Sequence, residues 1–137
     1  MATRYTIDEI LTPLALTVII DNKVRDPELM EFTTQAEGLC DALDDFDPMS
    51  PAAVLEWYRE NESTLIGHMN GRGKNTFILK TLTRFTDNAA LVEAMYDAML
   101  AISVSDKEYR VEESELIRSA ASLWGYIRPP FKVVGRK

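Results

Sequence analysis

The chain has 137 residues, 46% of them hydrophobic, and 22 acidic against 15 basic residues give it a net charge of −7. That length and apolar content suffice for one domain with its own core, while the acidic balance argues against a nucleic-acid-binding surface, which is normally basic. A single cysteine, Cys40, excludes an intrachain disulfide and any multi-cysteine metal cluster.

In chain order, the first element opens with Thr6 and Glu9 at the spacing of a capping box, in which each satisfies the other's free backbone amide. Pro13 then either kinks this helix or restarts it, with Thr12 as the new cap. The longest nearly apolar run, Leu14 to Ile20, is far short of the roughly 20 residues that span a bilayer. No charged start followed by an apolar stretch marks a signal peptide. The expectation is a cytoplasmic chain with no membrane span.

Asp26 and Pro27 read as a cap and a first-turn proline, and so do Ser50 and Pro51. Between them Leu29, Phe32, Ala36, Leu39, Cys40 and Leu43 follow helical three-and-four spacing, which makes Cys40 a small buried hydrophobe. Asp41, Asp44, Asp45 and Asp47 fail as a calcium loop, because no glycine takes the sharp-turn position and no glutamate closes the frame. Val54, Tyr58, Leu65 and Met69 line a middle helix, and Ile78, Leu82 and Phe85 a short one. Gly71 to Thr76 between them resembles a phosphate loop only superficially: Asn75 follows Lys74 and a helix precedes it, so it is a glycine-rich break. His68 has no partner motif and reads as a surface or capping residue.

Leu91, Met95, Ala98, Met99 and Ile102 form the next stripe, and Leu116, Ile117, Ala120, Ala121 and Trp124 the last, before Gly125 offers a stop. Arg128, Lys132, Arg136 and Lys137 make 127–137 a basic, solvated tail. Alternating β-branched residues never run long enough for a strand. The pattern predicts an all-α fold, one compact bundle of six or seven helices.

Shifted by 85 residues, the chain overlays on itself. Asp21, Arg25 and Glu28 fall on Asp106, Arg110 and Glu113, and Val24 falls on Tyr109. Leu14 to Ile20 matches Met99 to Ser105 upstream, and Phe32 and Ala36 match Ile117 and Ala121 downstream. Each copy reads as helix, turn, helix, so residues 12–43 and 97–126 form a duplicated hairpin within a single domain. An aspartate ending the incoming helix is opposed by the helix dipole, whereas a glutamate in the first turn of the outgoing helix is favoured by it. Two such corners facing each other would gather Asp21, Glu28, Asp106 and Glu113, four anions that repel unless a cation or buried arginines balance them. All-oxygen ligands of this kind suit calcium, magnesium or manganese. The alternative is that the carboxylates cap turns and helix starts and pair locally with Arg25 and Arg110.

An apolar helix ending in Asp, then a turn, a valine-like residue and a Glu seven positions on, resembles the signature of TerB-like tellurite-resistance domains. Asp21 to Glu28 and Asp106 to Glu113 carry the resemblance, and Leu123 to Tyr126 is similar to the close of the family's second hairpin. The family's glycine after the aspartate is Asn22 in the first copy and Lys107 in the second, and residues 45–90 carry nothing diagnostic. The resemblance implies an all-helical fold, a link to stress responses and divalent-metal binding through Asp21, Glu28, Asp106 and Glu113. No catalytic motif asks for an enzyme. The second reading is a metal-free interaction module that binds a protein partner, with Trp57, Tyr58 and Trp124 as anchors or, on their helical stripes, as core. A homodimer is compatible with either reading.

Overall fold

The computed structural model describes residues 5–20, 24–42, 49–86, 88–105 and 111–124. Among them the protein is all-helical, with α1 (Ile7–Ile19), α2 (Asp26–Ala42), α3 (Pro51–Asn70), α4 (Lys74–Thr83), α5 (Ala89–Ser103) and α6 (Val111–Trp124). Gly125 and the basic tail, with Arg128, Lys132, Arg136 and Lys137, lie outside the described residues. So do Leu43, Asp44, Asp45 and Asp47 of the acidic stretch, whereas Asp41 is exposed in the last turn of α2.

The helix starts follow the sequence closely. Thr6 and Glu9 form the expected capping box: the Glu9 amide donates to Thr6 Oγ1 at 3.1 Å and the Thr6 amide to Glu9 Oε1 at 2.9 Å. Ser50 caps α3 by accepting from the Ala53 amide at 3.1 Å, with Pro51 opening the helix. Two details go beyond the local signals. Of the two readings of Pro13 the restart fails: Pro13 lies inside α1, and the Thr12 hydroxyl donates back to the Asp8 carbonyl instead of capping a new helix. The enclosure of α1 explains why the proline is tolerated: Pro13 and every residue from Leu14 to Ile19 is buried, so packing outweighs a lost backbone bond of about 3 kcal/mol. The second helix begins one residue early, with the Arg25 carbonyl accepting from the Leu29 amide at 2.9 Å, so Asp26 is its first residue and not its cap.

Helix α1 is the centre of the bundle. From Pro13 to Ile19 it is buried on every side, and it is enclosed by α2, α3, α4 and α5. Helix α5 packs most extensively on α2 and α1, and contributes Met95, Tyr96, Met99 and Ile102 to the core. The hydroxyls of Thr17 and Ser103, both fully buried, donate to the carbonyls of Pro13 and Met99 four residues back, so neither is stranded in the apolar interior. Phe32, Trp57 and Tyr58 join α2 to α3 through tilted and edge-on ring contacts.

The α1–α2 and α5–α6 pairs each pack internally, but their surroundings differ. Helix α2 lies along α5, whereas α6 leans on α5 and α4. Helix α4 stands between α1 and α6, touching both. The Trp124 indole locks this arrangement by donating to the Leu82 carbonyl at 2.8 Å.

Candidate functional site

The four carboxylates singled out by the repeat fare differently. Asp21 and Asp106 lie outside the described residues, and for Glu113 only the backbone is described, in the first turn of α6. Glu28 is described in full. It sits in the first turn of α2, where the helix dipole favours a negative charge, and its side chain is 0% exposed. One turn back, Arg25 places Nη1 3.8 Å from Glu28 Oε1 while keeping 21% of its own side-chain surface in water. Val24, the valine-like position of the motif, is 39% exposed.

A carboxylate with no exposed surface is the least expected residue in a helical core, because taking its charge out of water costs several kcal/mol unless positive charge and hydrogen bonds compensate. Arg25 supplies some of that compensation. Among the described residues, no three His, Cys, Asp or Glu side chains converge as a metal-holding group; of the predicted set, Glu28 alone has its side chain described. Its oxygen chemistry fits a hard divalent cation.

Other chemistry-bearing side chains have structural employment. Cys40 is fully buried, and burial, with the Asp41 charge beside it, pushes the thiol up from its ordinary value, the opposite of an activated nucleophile. His68 is exposed at the end of α3 and stacks on Phe77 of α4, with ring centroids 4.1 Å apart and planes 5° from parallel. It thereby pins the turn from Gly71 to Gly73. The Tyr58 hydroxyl is pushed far up by burial and by its 2.7 Å hydrogen bond to Glu62. Trp57 and Tyr58 are core residues and Trp124 packs against the core, as their stripes predicted.

A feature that sequence reasoning missed lies between α4 and α6. A partly open hollow of about 350 Å³ there is lined by Ile20, Ile78, Leu79 and Leu116 together with Lys74, Asn75, Glu115 and Ser119. A second hollow of about 580 Å³ shares Leu79, Glu115 and Ser119 with it and runs on to Ser122 and Leu123. Leu79 is 48% exposed. Charge pattern was the available clue: no Asp or Glu occurs between Glu62 and Asp87, although the chain as a whole is acidic.

Comparison with known proteins returns no match: no family model, no curated protein and no solved structure aligns with this chain. Among the described residues, no helix is long and apolar enough to cross a membrane.

Proposed function

We propose that this chain is a TerB-like domain of a cytoplasmic stress-response system, and that its two helix–turn–helix junctions hold a divalent cation through Asp21, Glu28, Asp106 and Glu113. The observation that supports this reading is the burial of Glu28. A fully enclosed carboxylate at a junction that the sequence repeats is costly as mere decoration, and a calcium, magnesium or manganese ion would balance the charge gathered there. The ion would supply positive charge and a fixed oxygen-ligand geometry. The chain's own part, seen at Glu28, is to hold a carboxylate in the first turn of a helix that packs on the core.

A second reading has its own observation. Arg25, 3.8 Å from Glu28, contributes positive charge without any ion, and on this reading the carboxylates serve the fold of a helical adaptor that recognises a protein partner.

Thermal unfolding of chelator-stripped protein against a panel of divalent ions separates the two. A saturable rise of several degrees with one ion, lost in Glu28→Gln and in the Asp21→Asn, Asp106→Asn double variant, supports the cation site by linkage. No rise with any ion sinks it and leaves the adaptor.

A further inference from the structure

The hollow between α4 and α6 reaches the end of α6, where Ser122 and Leu123 line it. The next residue, Trp124, is fixed on α4 by its 2.8 Å indole bond to the Leu82 carbonyl. The two helices thus lie side by side, with Trp124 beside Leu82 at one end and Glu115 and Lys74 together in the lining at the other. Residue 125 therefore starts next to the hollow. From Glu115 to Leu123 the α6 wall is about 12 Å long, at 1.5 Å per helical residue. Its apolar lining is Ile78, Leu79, Leu116 and Leu123, and Leu79 is left 48% exposed.

The sequence after Trp124 names an occupant. Its cations give it the composition of a solvated tail, but its apolar residues are spaced for a surface. Side chains of an extended segment alternate between two faces. Ile127, Pro129, Phe131 and Val133 fall on one face, and Arg128 and Lys132 on the other. Pro129 and Pro130 exclude a continued helix, favour extended backbone before each of them, and bring no amide donor that needs a partner. Gly125 is the residue type that best turns a chain back at a helix end. We propose that residues 126–133 fold back along the hollow, with Ile127 over Leu123, Phe131 over Leu79 and Leu116, and Arg128 and Lys132 facing water. The four residues from Ile127 to Phe131 span about 13 Å when extended, which matches the length of the α6 wall. Charge does not select this occupant, since Lys74 and Arg118 line the hollow as well as Glu115. Alternation and attachment do: a segment tethered beside its site has an effective concentration in the millimolar range, so a contact too weak to hold a free partner suffices. The proposal is independent of the cation site and uses none of the four junction carboxylates.

The test is proximity cross-linking in the full chain. Leu79→Cys, a change at a half-exposed position, is combined with Phe131→Cys, and the control combines Phe131→Cys with Thr34→Cys on the exposed face of α2. Cys40 stays in both, because it is fully buried. Under mild oxidation the first pair is expected to close within one chain about tenfold or more faster than the control pair. NMR of the unmodified chain supplies a second readout: the Phe131 ring should show nuclear Overhauser contacts to the Leu79 and Leu116 methyl groups. Phe131→Ser should abolish those contacts and shift the Leu79 and Leu123 methyl resonances, whereas the Arg128→Ser, Lys132→Ser double variant should leave these resonances in place. The proposal is overturned if the two cysteine pairs close at equal rates, if Phe131 shows no contact with either leucine, or if the double variant shifts the leucines as much as Phe131→Ser does. Cross-links that form mainly between chains would assign the hollow to the tail of a second copy and likewise overturn it.

Discussion

Arg84 at the end of α4 donates through Nε to Glu9 Oε2 at 2.8 Å, joining residues 75 positions apart. Glu9 already belongs to the capping box that starts α1, and Arg84 also lies over the Tyr5 ring, 4.5 Å from its centroid. Tyr5 in turn packs on Phe85, with centroids 5.3 Å apart, and its hydroxyl receives Asn88 Nδ2 at 3.5 Å, the residue whose side chain caps α5. One local start signal is thus wired to the end of α4 and the beginning of α5.

A pH dependence follows with a definite sign. Partial burial pushes the Glu9 carboxyl up, but the Arg84 guanidinium and the Thr6 amide and hydroxyl outweigh it and hold the group below its ordinary value. A depressed carboxyl contributes stability above the ordinary carboxylate range, and that contribution is lost as pH falls through the folded value. Both side chains keep about a third of their surface in water, so the ion pair itself is worth about 0.2–1 kcal/mol, and the stacking of Arg84 on Tyr5 about as much again. Arg84→Met should therefore cost about 1 kcal/mol at pH 7, with its electrostatic part shrinking below about pH 4. Glu9→Gln keeps an acceptor for the Thr6 amide and should remove the pH-dependent part alone, whereas Glu9→Ala should cost a further increment on the scale of a lost cap, about 0.5–2 kcal/mol. Urea titrations at several pH values measure all three.

The contact between Arg25 and Glu28 makes a separate prediction for chelator-stripped protein. Arg25→Met withdraws positive charge from a carboxylate with no exposed surface. Breaking a fully enclosed pair costs about 3–5 kcal/mol; Arg25 is partly in water, which puts the expected loss at about 1–3 kcal/mol. Adding Glu28→Gln to that variant should recover part of the loss, because the uncompensated charge is then gone. A double-mutant cycle by chemical denaturation reads this directly. Strict additivity of the two changes would mean that Arg25 does not stabilise Glu28.

Helix positions and core residues were legible because capping chemistry and apolar periodicity act over a few residues, as at Thr6 and Glu9 or Ser50 and Pro51. Position along the stripe also identified Cys40, Trp57 and Tyr58 as core residues. Sequence could not show that Glu28 would be wholly enclosed while Val24 stayed exposed, because that depends on how α1, α2 and α5 pack together. Nor could it show the hollow between α4 and α6, because its lining brings together side chains distant in the chain, such as Leu79 and Leu116. The repeat did suggest facing hairpins, but their unlike surroundings arise from α4, an element outside both copies, standing between α1 and α6. The choice left open at Pro13, a kink or a restart, could not be made from sequence for a related reason: local rules also place prolines at helix starts, and only the enclosure of α1 explains one in its interior.

Trp57 offers a cleaner probe of tertiary wiring. Its indole donates to Asp8 Oδ1 at 2.7 Å, tying α3 to the first turn of α1. Asp8→Asn preserves an acceptor at that place and should cost under about 1 kcal/mol, while Asp8→Ala leaves the indole without this partner and should cost about 1–2 kcal/mol. Trp57→Phe should cost about as much as Asp8→Ala plus the volume lost beside Phe32, a further 1 kcal/mol or so. Equal stability of the Asn and Ala variants in chemical denaturation would show that the hydrogen bond is energetically neutral.

Two glycines run the other way and predict gains. Gly38 lies in α2 and Gly67 in α3, both exposed, and a Cβ built on either meets nothing within 4 Å. Glycine inside a helix is about 0.8–1 kcal/mol worse than alanine, through backbone freedom in the unfolded chain, so neither residue has a packing reason to be there. Gly38→Ala and Gly67→Ala should each stabilise the fold by about 0.5–1 kcal/mol, raising the melting temperature by about 2–4 °C. The sites stand on different helices with no shared partner, so the double variant should give close to the sum. A destabilised Gly38→Ala would mean that the exposed face of α2 is covered in solution, and would direct the search for a partner to that helix.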